Sequence, residues 1–580
     1  MISAGTMLPS RTVYAEPRRR RGDATGASLT PSWAAVALPD WAVLLILCLM
    51  TFTALGKDFA VGGMHDLDSA AHAMDGVLVL DWISFGPAAW LDPMSFARTQ
   101  YAHYPTLGMG GHYPPGFAVV EAGFFALFGV SSQTARLCVL CFGLAAAIGT
   151  YVFLRPLTDR MVAALAATFL MAFPETTIWG RQIMLEVPTL TVLIWAAVAV
   201  RAYFESPTWG RLSVVLVASL VGVLFKQSAV FFLGAFGSAA AFASWRGKVR
   251  RRHVAVIAVI ATGLLLATFA SLDTACVKTL SGYDSYEDPA SLAALSFHLC
   301  GLVSQTGWLL AALAVFGLVV GVRLSPTLTV FLLAWMVISY VMVTVVGLKV
   351  VRFFYVGTFP VAIWAALGAG RILSWVGQGR LKAPLTALVV TACCVMAQTR
   401  SIEYGPDYGS IVESHKERIG GRLVLFSGMR DGDFVFAVRQ HVPRQQTVVL
   451  RGSKLFYTST ARQDLDLVEL VKTPEELVAR MRTFAFDTVV LERENHVGTR
   501  QDEWLRTYLA GGEDYRLVAS HPLSARVTDT DTGRVTIDVY ELARAIPRTV
   551  DQYQIPIPRT KETIRVNLPP QAAALDGPRT

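Results

Sequence analysis

Charge is what this chain of 580 residues has little of. Lys, Arg, Asp and Glu together make up 16% of it, against 53% hydrophobic residues and a mean hydropathy of +0.46. Soluble domains carry roughly 25% charge, so an ordinary soluble fold is excluded. Cysteine is sparse too: there are seven, none beyond Cys394, which excludes a disulfide-stapled C-terminal region. Cys138 and Cys141 have CxxC spacing but sit in an apolar helical run, where they read as small hydrophobes. Cys276 and Cys300 flank one polar loop and could pair if that loop lies outside the cell. Residues 1–37 lack an apolar core, so no cleavable signal peptide is read there. No internal repeat is present, and no Gly-rich nucleotide-binding loop with its acidic partner.

What is present is a series of apolar runs, each long enough to cross about 30 Å of hydrocarbon. They lie near 38–56, 135–154, 161–179, 187–204, 211–225, 228–245, 253–272, 300–321, 327–346, 353–370 and 383–398. The stretch "PPGFAVVEAGFFALFG" (114–129) is ambiguous, being short, opened by two prolines and interrupted by Glu121. If it does not cross, then Arg155, Arg160, Arg201, Arg211, the basic stretch 245–253, Arg323 and the 371–382 loop all share one side with "RRRR" (18–21). Cytoplasmic loops carry the excess of Lys and Arg. That choice gives about eleven spans, with the N-terminus cytoplasmic and the chain after 400 outside. The net charge of +8 therefore reports membrane orientation, not nucleic-acid binding.

The expected fold is a polytopic α-helical membrane protein followed by a C-terminal soluble α/β domain. Residues 1–37 read as a disordered basic cytoplasmic segment and 38–398 as the membrane domain, with a long outer loop at 57–134. Residues 400–544 read as an extracytoplasmic α/β domain, because strand patterns at 422–428, 446–450, 486–492, 515–521 and 534–542 alternate with helical ones. Residues 545–580 are Pro-rich with few aromatics, so they read as disordered.

Chemistry-bearing residues gather on the outer side. "MHDLDSAAHAMDG" (64–76) holds Asp66, Asp68 and His72. In a helix over 66–82, Asp68 and His72 share a face. The same loop adds His103, His112 and Tyr113 in "YAHYPTLGMGGHYPPG". Glu186 stands at the mouth of a span, Lys226 between two apolar runs, and Lys349 and Arg352 three residues apart. Each has a plain reading as an interfacial or capping charge. Fixed cations also suit a phosphate.

The order of these elements resembles a family. An acidic motif after the first span is followed by "YPPG", "FLMAFPETTIWGRQIMLEVP", "GVLFKQ" and "KVVRFFYVGTFPVAIWAALG". This is similar to the GT-C superfamily of membrane glycosyltransferases, especially the protein O-mannosyltransferases and lipid A aminoarabinose transferases, over about residues 38–398. The family's D-E-x-x-Y frame is matched by "DSAAH" (68–72), with Ser69 for Glu and His72 for Tyr. The resemblance implies Asp68 as catalytic carboxylate and Glu186 as second acidic residue, with Lys226, Lys349 and Arg352 near a donor phosphate. A divalent metal would take its ligands from Asp66, Asp68 and His112. The implied partners are a polyprenyl-phosphate-linked sugar, a protein, lipid or glycan acceptor, and membrane lipids, in a bacterial cytoplasmic membrane. An Asp base without a covalent intermediate implies inversion. The competing reading is a transporter or flippase for a lipid-linked precursor. It expects repeated halves, or spans broken at matching positions, and ionisable groups within the spans, whereas here no repeat is seen and these groups gather at one face.

Overall fold

The computed structural model describes residues 39–100, 113–271, 288, 290–346, 349–376, 382–442, 447–458, 468–494, 499–524, 534–556 and 563–571. His103, His112 and Cys276 lie outside them. Every apolar run forms helix, because such sequences carry good helix formers and leave no backbone group unpaired in lipid. Among the described residues, six helices are long and apolar enough to cross a membrane, or eight if each of two bent pairs is one span.

Two expected spans differ from straight helices. The run 161–179 is Arg160–Ala172 followed by Pro174–Gly180, bent by 65°. Pro174 has no N–H to continue the ladder and opens the second piece. The run 300–321 begins at Leu292 and breaks at Gly307, so that Leu292–Thr306 and Trp308–Leu324 meet at 104°. Gly307 has φ +83°, a conformation that side chains with a Cβ resist. The ambiguous stretch is a helix of 13 residues, Gly116–Phe128, about 20 Å long. It packs along Leu67–Phe85.

After Arg400 the chain builds a mixed sheet. Its strands are β1 (Leu423–Ser427), β2 (Val448–Arg451), β5 (Thr488–Glu492), β6 (Tyr515–Ser524) and β7 (Arg534–Leu542), in the order β2-β1-β5-β7-β6. Two short ladders accompany it, β3 (Tyr457–Thr458) with β4 (Val468–Glu469) and β8 (Gln552–Pro556) with β9 (Thr563–Asn567). β1 pairs in parallel with β2 and β5, whereas β7 runs antiparallel to β5 and β6. Helices Asp431–His441 and Pro474–Phe484 supply the crossovers that parallel strands need. The disorder expected at 545–580 is corrected for the described part. Composition misses three anchors there: Arg548 paired with Asp487 at 3.1 Å, the Tyr553 hydroxyl donating to Lys454 O at 2.9 Å, and buried Val566.

Residues Asp40–Thr580 form one compact unit, and the acidic helix Leu67–Phe85 lies inside it. One core cluster joins its Ala70, Ala73, Met74 and Val77 to Val412, Phe426, Phe434 and Phe436 of the C-terminal part. The guanidinium of Arg430 donates to Met64 O and His65 O, both at 3.0 Å, and Arg439 pairs with buried Asp81 at 3.0 Å. From the membrane side, Arg136 donates to Val61 O and Gly63 O, and buried Arg181 to Ala54 O (2.8 Å) and Ala397 O (2.7 Å). Carbonyls that would otherwise be buried unpaired are thus closed by arginines. Gly63 is required by the packing: a Cβ there would land on Gly405 O.

Helix Trp308–Leu324 meets Thr358–Val376 through glycines. A Cβ on Gly317 would strike Trp364 O, and one on Gly368 would strike Leu313 O. Gly317→Ala should lower stability by about 1–3 kcal/mol through overpacking. Gly263→Ala, whose Cβ would meet open space, should cost nothing. Melting temperatures of the two variants in detergent check this pair.

Candidate active site

The site is built where the acidic helix begins. Asp66 is its N-cap, one carboxylate oxygen accepting from Asp68 N–H at 2.9 Å. This satisfies a donor that a helix N-terminus leaves open. Its other oxygen accepts from Arg352 Nη1 at 2.8 Å, while Arg352 Nη2 donates to Asp68 at 2.5 Å. One guanidinium therefore spans two carboxylates, a geometry that its planar fork allows and a lysine ammonium does not. Arg352 is also over the ring of Trp179, 5.6 Å from its centroid, a cation–π arrangement that helps hold it in place.

Glu186 starts the helix Glu186–Glu205 and pairs with Lys226 at 3.0 Å. Its second oxygen is buried with no hydrogen-bond partner. Lys226 sits at the break between Trp209–Phe225 and Gln227–Ala229, which turns its side chain toward Glu186. His72 is buried against the Tyr113 ring, with centroids 5.2 Å apart. Burial lowers its imidazole to about 4, against the opposing pull of Asp68 and Glu186. It is neutral at pH 7. The charges of Asp68, Glu186, Lys226 and Arg352 all act on His72, so these five residues form one neighbourhood.

Lys349 is not brought onto the face of Arg352. It precedes the tight turn Val351–Gly357 in extended backbone, so helical spacing does not apply to the pair. Its ammonium donates to Thr344 O (2.6 Å) and Val346 O (2.7 Å), closing the C-terminus of helix Pro326–Val345. Among the described residues no group of three or more His, Cys, Asp and Glu could hold a metal ion. Asp66 and Asp68 fit a dication poorly, because a guanidinium already lies between them and its charge opposes one there.

Trp179 carries only a weak signal in the sequence, an aromatic in "IWGRQIMLE" close to Glu186. Asp75 and Glu121 carry none beyond a carboxylate beside apolar residues. Glu121 is fully buried with neither oxygen hydrogen-bonded, and it fills the space where a Cβ on Gly76 would be. Burial raises the Asp75 carboxyl to about 7.

The family model of dolichyl-phosphate-mannose-protein mannosyltransferases matches residues 112–271. Among solved structures the chain is similar to ArnT from Cupriavidus metallidurans in the apo state, with 12% identity and a TM-score of 0.55 over 86% of this chain and 97% of that one. For the same protein bound to undecaprenyl phosphate the values are 13% and 0.54, over the same shares. The Archaeoglobus fulgidus oligosaccharyltransferase in its apo form gives 11% and 0.52, over 80% and 70%. The chain has the GT-C fold of membrane glycosyltransferases. No curated protein matches it in sequence. Within the GT-C fold the family match covers Tyr113, Glu186 and Lys226 but stops short of Asp66, Asp68 and Arg352.

Asp75 gives the chain a pH dependence of definite sign. The group's ordinary value is 3.8 and its folded value about 7, so the folded state prefers the protonated form. Its contribution to stability is complete below about pH 4 and lost as the pH rises through about 7. Asp75→Asn should flatten the melting temperature between pH 4 and 7 and leave the variant more stable than the parent at pH 8. Thermal melts across that range check it.

Proposed function

We propose that the chain is a membrane glycosyltransferase that moves a sugar from a polyprenyl-phosphate-linked donor to an acceptor hydroxyl on the outer face of a bacterial cytoplasmic membrane. The observation that carries this reading is the pair of carboxylates bridged by Arg352, next to the Glu186–Lys226 pair. A base and fixed cations in one place match the needs of attack at an anomeric carbon. The GT-C fold supports a lipid-linked donor. In the same reading the chain has eleven spans, residues 114–129 do not cross, the N-terminus is cytoplasmic and the part after residue 400 is extracytoplasmic.

The chemistry is a single displacement. The acceptor oxygen attacks the anomeric carbon and gives its proton to the Asp68 carboxylate. As the new C–O bond forms, the bond from that carbon to the phosphate oxygen breaks, and polyprenyl phosphate leaves with the electron pair. One displacement inverts the anomeric centre. Arg352 and Lys226 stabilise the charge growing on phosphate. Glu186 keeps Lys226 oriented toward the site. We assign Lys349 to the closure of its helix end, with its ammonium on two carbonyls.

Asp68→Asn keeps the shape and removes the proton acceptor, so turnover should fall by about 10² or more. Arg352→Ala should weaken donor use by about tenfold to a hundredfold, the range for a lost charge-assisted contact, and Lys349→Ala by less. Steady-state kinetics with a polyprenyl-phosphate sugar test all three. Near-parental turnover in Asp68→Asn would mean that another group is the base. For sidedness, a reporter active only outside the membrane should work after residue 420 and fail after residue 248. The reverse would remove the outer-face site.

A further inference from the structure

Three carboxylates (Asp66, Asp68 and Glu186) share two cations, Arg352 and Lys226. Among these described residues, negative charge exceeds positive before any phosphate arrives. A phosphate that enters must either lie beside excess negative charge in a partly buried place, which is costly, or take a cation from a carboxylate. Lys226 is a poor choice for release, because the Glu186 side chain it neutralises is only 3% exposed and would be left charged without a partner. Arg352 has two partners, and they are not equivalent. The Asp66 side chain is 26% exposed and is tied to the helix N-terminus through Asp68 N–H. The Asp68 side chain is 42% exposed, so water can solvate it once it is released.

Resting on the proposed glycosyltransferase reading, we infer that Arg352 is a latch on the general base. Its ion pair covers Asp68, and the donor phosphate draws it away, so the base is free only when donor is bound. Asp66 is the positioning residue in this exchange, keeping one edge of the guanidinium while the other turns to phosphate. The face of Trp179 gives that turn a fixed pivot, since it holds the cation through the ring and not through a single directional bond. The consequence is an order of events: donor first, base second. A hydroxyl or water that reaches the site early meets a carboxylate already paired with one guanidinium nitrogen of Arg352.

The test is binding, not turnover. Purified full-length protein in detergent is titrated with polyprenyl phosphate lacking a sugar, and the Kd is measured for the parent, Asp68→Asn, Asp68→Ala, Asp66→Asn and Arg352→Ala. Removing the competing carboxylate should tighten binding in both Asp68 variants by about two- to fivefold, the fold-change expected for a partly exposed ion pair. Asp66→Asn should show no such gain, and Arg352→Ala should bind more weakly than the parent. If Arg352→Ala weakens binding but neither Asp68 variant tightens it, the latch is wrong while the phosphate assignment stands. If Arg352→Ala leaves the Kd unchanged, the phosphate does not bind at Arg352, and both the assignment and the latch fall.

Discussion

The guanidinium of Arg352 holds the site together. It belongs to the segment that leads into the apolar helix Thr358–Val376, and it binds Asp66 and Asp68 at the head of the acidic helix. Without it, two carboxylates two residues apart would repel each other at a helix N-terminus that also needs one of them as its cap. With it, the membrane bundle and the acidic helix meet at a fixed point. In the proposed function the same cation meets the leaving phosphate.

A second constraint keeps that point in place. The acidic helix has 19 residues, and like most helices in proteins it draws its stability chiefly from tertiary packing. It is gripped from both sides. Arg136 and Arg181 close carbonyls from the apolar helices, and Arg430, Arg439 and a shared apolar cluster grip it from the C-terminal part. The sheet after Arg400 therefore does more than follow the membrane helices: its β1–helix turn, at Arg430, contacts the backbone of Met64 and His65 directly. Asp66 follows immediately, so the C-terminal part helps set where the acidic helix starts.

Local features were legible in the sequence and long-range ones were not. The acidic helix was expected over 66–82 and runs Leu67–Phe85. Asp66 is its N-cap and not, as the 66–82 frame has it, its first residue, and its end depends on Gly86 at φ +84°. β1, β2, β5, β6 and β7 fall on the five patterned stretches, because alternation and buried runs are local signals. The break at Gly307 was hidden inside a continuous apolar run, where hydropathy is blind to backbone torsion. Lys349 and Arg352 were read as a pair on helical spacing, but the backbone between them is not an α-helix. The contact from Arg352 to Asp66 joins residues 286 apart in the chain, and no periodicity encodes that. Asp68, Glu186 and Lys226 could be named from residue type and order. That Arg352 bridges the two aspartates and lies over Trp179 could come only from the fold.

The claim that this arrangement is a donor site is tested most directly by a cryo-EM structure of the full chain with polyprenyl phosphate bound. The account predicts phosphate oxygens within about 3 Å of the Arg352 guanidinium, Asp66 still paired to it, and the Asp68 carboxylate turned free toward the acceptor side. A phosphate bound elsewhere, with Arg352 still spanning both aspartates, would contradict it.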